Sequence, residues 1–260
     1  MQHSVSSYPN HLLSALVAGG AHFRPDLEMV PLELGDVLYE SESRIRHVFF
    51  PTTSIVSLVY MMEDGATDEI AAVGNEGIIG VPLFMGGQTA PSRAVVRCEG
   101  YAFRLAAHVL MEDFNRSAAM QQLLLRYTQS LFAQISRTAS CNRHHSVRQQ
   151  LCRWLLSSMD HVRSNELKIT HESIAGMLGV RRESISREAA SLQAAGLIHI
   201  GRGRITILDR NELEDRSCEC YRGLKRDFSR LLPPEAPVYV PEGRPLQQFP
   251  QRPALFPAHA

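Results

Sequence analysis

The sequence lacks the long apolar runs of a membrane protein. No stretch of its 260 residues approaches the roughly 18 consecutive apolar side chains that a membrane-spanning helix needs. Residues 1–22 also lack a basic segment followed by a long apolar core, which is the pattern of a secretory leader. We therefore expect a cytoplasmic protein with no membrane among its partners.

Cysteine is scarce, and the familiar catalytic motifs are missing. Five cysteines, an odd number at irregular spacing, fit a reducing compartment better than a disulfide framework. Cys218 and Cys220 in "CEC" are too few ligands for a four-coordinate metal on their own, and the adjacent His144 and His145 would diverge by about 100° on a helix. The sequence has no phosphate-cradling glycine loop, H-E-x-x-H or nucleophile motif. We predict no metal site, no cofactor and no enzymatic activity.

The chain has no net charge, because an acidic first part and a basic second part cancel. The whole chain has 27 Lys and Arg against 27 Asp and Glu. Residues 1–116 hold 7 basic and 14 acidic side chains, whereas residues 117–260 hold 20 and 13. A chain of this length has room for about two domains, and the asymmetry indicates a basic nucleic-acid-binding part joined to an acidic part with another task.

The first half reads as a short helix near residues 10–18 followed by β-strands. The candidate strands are "HVFFP", "SIVSLVYM", "DEIAAVG", "AVVRCEG" and "AFRLA", separated by turns such as "EDGA" and "GNEG". Strands this short and regularly spaced predict an antiparallel barrel or jelly roll.

A long helical tract then runs from about residue 117 to residue 142 without proline or glycine. Its apolar side chains follow spacings of 4, 3, 4 and 4, close to a coiled-coil seam. They are Met120, Leu124, Tyr127, Leu131 and Ile135. The alternative is a helix packed on its own domain. We predict a parallel homodimer seam, because two identical modules would read two half-sites about 34 Å apart.

After a further helix with a Ser146 cap, two short helices meet at a glycine. The segment "ITHESIAGMLGV" has a helix start at Thr170 and a stop at Gly179. In "RRESISREAASLQA" an apolar stripe recurs at helical spacing, consisting of Ile185, Ala189 and Leu192. "LIHI" and "RITIL" then flank a Gly-Arg-Gly turn. This order predicts a helix-turn-helix with a β-wing, whose second helix enters the major groove.

The stretch "KITHESIAGMLGVRRESISREAASLQAAGLI" closely resembles the winged helix-turn-helix of the Crp/Fnr family of bacterial transcription regulators, whose recognition helix reads R-E-x-x-[SG]-R. Arg182, Glu183, Ser186 and Arg187 match that motif position by position. The resemblance implies base contacts by the two arginines and the glutamate, and phosphate contacts by hydroxyl groups and by the wing. The remaining candidates for DNA contact are Thr170, Arg181, Ser184 and Arg202.

The resemblance also implies a cyclic-nucleotide-binding type of β-roll, but with a degenerate pocket. Members that bind cyclic AMP hold the ribose with a G-E pair and the phosphate with an arginine that precedes a small residue. Here Gly80 is followed by Val81, and Ser92 stands where the arginine is expected, with Arg93 one residue later and Ala94 after it. We predict a ligand pocket at Gly80, Ser92, Arg93 and Ala94 that does not use cyclic AMP.

The predicted fold is α+β, with an N-terminal antiparallel β-roll of jelly-roll type, a long dimerisation helix and a C-terminal winged helix-turn-helix. We place a sensor domain at residues 1–116, the dimerisation helix and hinge at 117–145, the DNA-binding domain at 146–212, and a helix with a Pro-rich tail at 213–260. The tail from residue 233 holds eight of the chain's fourteen prolines, which predicts disorder or polyproline II.

The function predicted from the sequence is sequence-specific binding of a palindromic DNA operator by a homodimer that regulates transcription. RNA polymerase and an unidentified small-molecule effector are the other predicted partners. The alternative is a ligand-binding or protein-interaction module whose basic helix contacts a protein rather than DNA.

Overall fold

The computed structural model describes residues 8–232, apart from residues 64, 66 and 163. The Pro-rich tail predicted beyond residue 232 lies outside the described residues. No helix in the described part of the chain combines the length and the apolar character needed to cross a bilayer.

The N-terminal lobe consists of two antiparallel sheets around one hydrophobic core. Its strands are β1 (Glu28–Leu32), β2 (Val37–Tyr39), β3 (His47–Pro51), β4 (Ile55–Met61), β5 (Thr67–Val73), β6 (Arg93–Cys98) and β7 (Gly100–Ala106). One sheet has the order β1-β7-β3 and the other β2-β6-β4-β5. Helix α1 (His11–Ala18) packs onto this core, and its cap Asn10 donates to the carbonyls of Pro51 and Gly77 at 2.8 Å each.

The predicted β-roll is confirmed, and five of its strands match the predicted segments closely. The sequence analysis missed β1 and β2. Strand β1 contains Pro31, and proline demotes a segment as a strand candidate. Strand β2 has only three residues, too few for an alternating pattern.

Helices α2 (Ala107–Arg116) and α3 (Ala118–His144) follow the β-roll. Ser117 caps α3 by accepting a hydrogen bond from Met120 N at 3.2 Å. One side of α3 packs onto the N-terminal lobe, where the Tyr127 hydroxyl donates to Ile78 O at 3.4 Å and Gln134 Nε2 donates to Ala72 O at 3.0 Å. The first four turns of α3 are therefore part of the β-roll core.

The predicted dimer seam lies on the wrong face of α3, because that face is buried within the chain. All five of its residues pack against the chain's own core, four of them fully buried and the last partly buried: Met120, Leu124, Tyr127, Leu131 and Ile135. Side chains used inside one chain cannot also form a seam with a second. The alternative reading, a helix packed on its own domain, describes this stripe.

The C-terminal lobe is a bundle of helices with a three-stranded sheet of order β8-β10-β9. Its elements are α4 (Val147–Val162), β8 (Glu166–Lys168), α5 (His171–Leu178), α6 (Arg182–Ala194), β9 (Ile198–Gly201), β10 (Arg204–Ile207), α7 (Arg210–Arg216) and α8 (Glu219–Leu231). The sequence pattern of residues 211–232 predicts a single helix. In the structure the helix is interrupted at Ser217 and Cys218, which separate α7 from α8.

The two lobes pack against each other through buried polar contacts. Trp154 on α4 donates its indole N–H to Glu69 on β5 at 3.2 Å, and Ser57 on β4 donates to the same carboxylate. Burial raises the pKa of Glu69, and the two hydrogen bonds oppose that shift. Ile55 and Cys98 of the β-roll belong to the hydrophobic core of the C-terminal lobe. The lobes therefore share an interface of specific polar and apolar contacts.

A second buried pair lies at the same interface. His161 Nδ1 donates to Glu76 Oε2 at 2.7 Å, and neither side chain is more than 16% exposed. Burial alone would lower the pKa of His161 and raise that of Glu76, but the attraction of their opposite charges outweighs it. The pKa of His161 therefore lies above its ordinary 6.5, and the pKa of Glu76 lies below its ordinary 4.5.

This pair predicts a stability profile with a defined sign. The raised pKa of His161 gives stability that is complete below pH 6.5 and is lost as the pH rises through the raised value, whereas the Glu76 contribution is complete above pH 4.5. The exchange His161→Gln should therefore reduce the free energy of unfolding by about 3 kcal/mol at pH 6 and by less at pH 9. Urea unfolding followed by the fluorescence of Trp154, the chain's one tryptophan, measures both values.

The exposed His199 provides the matched control, because His199→Gln removes a histidine without touching this interface. A destabilisation by His161→Gln that grows from pH 6 to pH 9 would contradict the charged pair.

Candidate nucleic-acid interface

Helices α5 and α6 form a helix-turn-helix with the starts and stops expected from the sequence. The Thr170 hydroxyl caps α5 by accepting from Ser173 N at 3.1 Å. Gly179 ends α5 with φ of +63°, a left-handed conformation that glycine adopts without strain. Helix α6 begins at Arg182, so a turn of three residues, 179–181, joins the two helices.

The buried stripe of α6 determines which side chains face outward. The predicted core residues Ile185, Ala189 and Leu192 are each at most 1% exposed. The motif residues lie off that stripe, in the first turns of the helix. The side chains of Arg182 and Arg187 are 65% and 71% exposed, and Arg181 and Glu183 are exposed as well. The structure therefore presents the charged start of α6 to solvent.

The charged side chains on this face have weak partners within the chain. Arg182 Nε lies 3.7 Å from Glu172 Oε2, and both side chains are mostly exposed. Arg187 Nε lies 3.4 Å from Glu188 Oε1. Exposed ion pairs contribute little, typically below about 1 kcal/mol. Each arginine can therefore exchange its present partner for a base edge or a phosphate at small cost.

The hydroxyl groups of the motif are more enclosed than the arginines. Ser184 and Ser186 are half-buried, and Ser186 Oγ lies 3.1 Å from His171 Nδ1. Burial, followed by the nearby charge of Arg182, lowers the pKa of His171. The imidazole is therefore neutral at pH 7 and can accept from Ser186. Thr170 has a capping role that is independent of any phosphate contact.

A clamp that the sequence analysis missed fixes α6 against α4. Arg148 donates from Nε to Glu188 Oε2 at 2.8 Å and from Nη2 to Ser191 Oγ at 3.1 Å. Burial opposes ionisation of Glu188, but the hydrogen bonds and charges of Arg148 and Arg187 prevail and lower its pKa. Arg148 is 40 residues away from Glu188 in the sequence, so no spacing rule joins them.

The wing is confirmed, with one strand more than predicted. Strands β9 and β10 pair antiparallel around a turn in which Gly203 has φ of +68°, and Arg202 is exposed at the tip. Strand β8 pairs with the other edge of β10, where Arg204 Nη1 donates to Glu166 Oε1 at 2.8 Å. Arg202 therefore projects from a three-stranded sheet.

The N-terminal lobe reaches the turn of the helix-turn-helix. A Cβ atom placed on Gly179 would lie 3.0 Å from Asp68 Oδ1 on β5. Glycine at this position thus serves two purposes, because it relieves backbone strain and admits the neighbouring strand. The helix-turn-helix is in direct contact with the lobe predicted to be the sensor.

Ser92 and Ala94 of the predicted ligand pocket are buried in the β-roll. Ala94 is fully buried and Ser92 is 5% exposed. Arg93 is half-buried, and its Nε lies 2.9 Å from Glu40 Oε2. Gly80 has φ of +115°, and a Cβ there would meet Val48 Cγ1 at 2.8 Å. The arginine that would clamp a phosphate already has a carboxylate partner.

A cavity of about 700 Å³ lies elsewhere, between the two lobes. Its walls include Glu76 from the N-terminal lobe, His161 from α4, Arg210 from α7 and Lys225 from α8. An occupant of this cavity would contact both lobes at once.

The structure also unites groups that the sequence analysis kept apart. Cys141 near the end of α3 and His145 just after it lie beside Cys218 and Cys220. The sequence analysis considered the "CEC" pair and the His144–His145 pair separately and predicted no metal site. A search for all Cys and His residues near the predicted hinge would have included Cys141, but the return of α8 to this place has no local signal.

Comparisons with known proteins agree with this architecture. Residues 149–216 match the family model of the Crp-like helix-turn-helix domain. No sequence among the curated proteins matches the chain. The matched segment spans α4 to α7, so α8 lies outside it.

Solved structures extend the likeness to the whole fold. FixK2 from Bradyrhizobium japonicum superimposes with a TM-score of 0.65 at 14% identity, covering 74% of this chain and 98% of that one. A CRP-family transcriptional regulator from Thermus thermophilus gives 0.61 at 19% identity, covering 72% and 96%. The c-di-GMP-responsive regulator CLP from Xanthomonas campestris gives 0.56 at 16% identity, covering 74% and 99%. At these identities the likeness establishes the fold.

Proposed function

We propose that this chain, a Crp/Fnr-type transcription regulator with a Crp-like helix-turn-helix domain, binds a palindromic DNA operator as a homodimer and does so without cyclic AMP. RNA polymerase and a small-molecule effector complete the proposed set of partners. The exposed start of α6 carries the proposal. There Arg182, Glu183 and Arg187 project from a helix whose opposite stripe is buried and whose rotation is fixed by the Arg148 clamp.

Groups of this kind suit base recognition. Arginine donates two hydrogen bonds to O6 and N7 of guanine, and glutamate accepts from N4 of cytosine. We assign phosphate contacts to Arg202 at the wing tip and Arg181 in the turn, since phosphate contacts position a helix without reading sequence. Their exposure supports this role.

For the homodimer we propose the opposite side of α3 from the one predicted. We call it the outer stripe. It follows spacings of 4, 3, 4, 3 and 4 through exposed residues, namely Ala118, Gln122, Leu125, Gln129, Phe132 and Ser136. Leu125 and Phe132 are 53% and 70% exposed. Large apolar side chains this exposed on a coiled-coil seam favour a second copy of the same helix as their partner.

The missing ribose carboxylate supports the proposal that cyclic AMP is not the effector. The ribose would lack a carboxylate acceptor beside Val81. A buried polar group without a partner costs about 1–3 kcal/mol. We place a small-molecule effector in the cavity between the lobes instead, since an occupant there contacts α4 and α8 as well as the loop that holds Glu76.

Base recognition by the start of α6 is tested by selecting bound DNA from a random pool and then titrating variants at fixed salt. We expect Arg182→Ala or Arg187→Ala to lose about 1–3 kcal/mol of binding and to relax specificity at one position in each half-site. We expect Arg202→Ala to weaken binding to all sequences alike. The exposed Arg116 on α2, outside the DNA-binding unit, gives the control Arg116→Ala. If the Arg187→Ala variant keeps full affinity and the same DNA sequence preference, the proposed orientation of α6 towards the bases is wrong.

The dimer interface is tested by placing a charge on each side of α3. Phe132→Glu would set like charges against each other in the outer stripe, so we expect the dimer to weaken by at least about 100-fold while the lobes stay folded. Leu131→Glu should instead unfold the N-terminal lobe, because Leu131 is 6% exposed in its core. Sedimentation and circular dichroism separate the two, with exposed Arg126→Glu as the control. An unchanged dimer for Phe132→Glu would move the interface off the outer stripe.

The effector proposal is tested by calorimetry with cyclic AMP and by DNA titration with and without the nucleotide. We expect no binding at micromolar concentration and no change in operator affinity. Micromolar binding that also tightens the DNA complex about tenfold, or 1.4 kcal/mol, would contradict the proposal.

A further inference from the structure

Four metal-ligating side chains converge where α3 meets α4. They are Cys141, His145, Cys218 and Cys220, here called the hinge cluster. Their three sulfur atoms and the imidazole nitrogen all lie within 4.8 Å of one another. Cys141 Sγ is 3.5 Å from Cys218 Sγ, and Cys220 Sγ is 3.7 Å from His145 Nδ1. The three cysteines are buried and form a cluster separate from the hydrophobic cores of the two lobes.

Close packing of α8 on α3 brings these groups together. A Cβ atom placed on Gly223 of α8 would lie 2.4 Å from Arg137 Nη1 of α3, so a larger residue here would displace the end of the Arg137 side chain. Arg137 also binds Asp227 of α8 at 2.8 Å. The cluster therefore sits at the first turn of a helix that is already held in place along its length.

The geometry matches a tetrahedral ion better than it matches simple packing. With Zn–S bonds of about 2.3 Å and Zn–N bonds of about 2.0 Å, the ligand atoms of a zinc site lie about 3.5–3.8 Å apart. The separations of 3.5 and 3.7 Å fall within that range, and the remaining ones, all within 4.8 Å, need a contraction of no more than about 1.3 Å. Packing of small apolar thiols would not require a histidine nitrogen to point into the same space.

The contacts of His145 also suit a ligand. While Nδ1 faces Cys220, Nε2 lies 3.3 Å from Glu219 Oε1. A metal-bound imidazole commonly donates its other ring N–H to a carboxylate, which fixes its tautomer and orientation. Gln150 holds the backbone here by donating Nε2 to His145 O at 2.8 Å.

A disulfide accounts for the cluster less well. Its S–S bond of about 2.05 Å would need Cys141 and Cys218 to approach by about 1.5 Å, and it would leave Cys220 and His145 without a role.

We propose that the hinge cluster binds one Zn²⁺ ion through three thiolates and one imidazole, with all four positions filled by the protein as in a structural site. The ion would join the end of α3, the hinge residue His145 and the start of α8. It would thereby fix the direction in which α4 leaves α3, and with it the placement of α6. This site lies outside the proposed DNA-contacting face and outside the cavity between the lobes, so its metal can be assayed without DNA or an effector.

The experiment uses the full chain, purified in reducing buffer without chelators. Elemental analysis should find one zinc per chain, and a metallochromic dye should report its release when a thiol-blocking reagent is added. After replacement by Co²⁺, the absorption spectrum should show thiolate-to-cobalt charge transfer together with the intense visible bands of a tetrahedral site. The double variant Cys218→Ser/Cys220→Ser should lose the metal and the spectrum, whereas Cys98→Ser, which removes a buried cysteine outside the cluster, should keep both.

Since the serine variants can fail to fold, His145→Ala provides a second test at a partly exposed position. It should bind zinc at least about tenfold more weakly and alter the cobalt spectrum, with circular dichroism confirming the fold. Metal-free wild-type chain with five titratable thiols would overturn the proposal. So would a Cys141–Cys218 disulfide in the freshly purified protein, or iron in place of zinc. DNA binding measured on the same samples tests the proposed function separately.

Discussion

One face of α3 is buried within its own chain, and much of the molecule depends on that constraint. Tyr127 and Leu124 fill the β-roll core, and Gln134 bonds the backbone of β5. A side chain that occupies the core cannot also meet a second copy, so the helix has only its outward face left for assembly. The same burial fixes the direction of α3, and hence the place where it ends and the C-terminal lobe begins.

The interface between the lobes buries two carboxylates, each with polar partners. Glu69 accepts hydrogen bonds from Trp154 and Ser57, and Glu76 accepts one from His161. Such pairs hold only one relative arrangement of the partners, because moving either lobe leaves a carboxylate buried without its donor. A hydrophobic contact of the same size would tolerate sliding. Helix α4, and the C-terminal lobe packed on it, is therefore coupled to the β-roll by specific buried contacts.

The sequence predicted most of the fold because local signals and burial agreed. Thr170 and Gly179 bound α5, the stripe from Ile185 to Leu192 fixes the rotation of α6, and the alternating strands give the β-roll. Apolar spacing on α3 failed, since it identifies a buried stripe without saying what covers it. The Arg148–Glu188 clamp and the hinge cluster were beyond prediction, because each unites residues 40 or more positions apart through the tertiary fold.

The shortness of the joint between the lobes has a mechanical consequence. Helix α3 ends at His144 and α4 begins at Val147, where Ser146 and Gln149 cap the new helix, so two residues and their four backbone torsions connect two rigid rods. The 16 residues of α4 make a lever about 24 Å long. A tilt of about 10° at the joint would carry its far end through about 4 Å. His161 lies near that far end and holds Glu76 of the N-terminal lobe, so a torsional change of this size at His145 would have to break the buried pair.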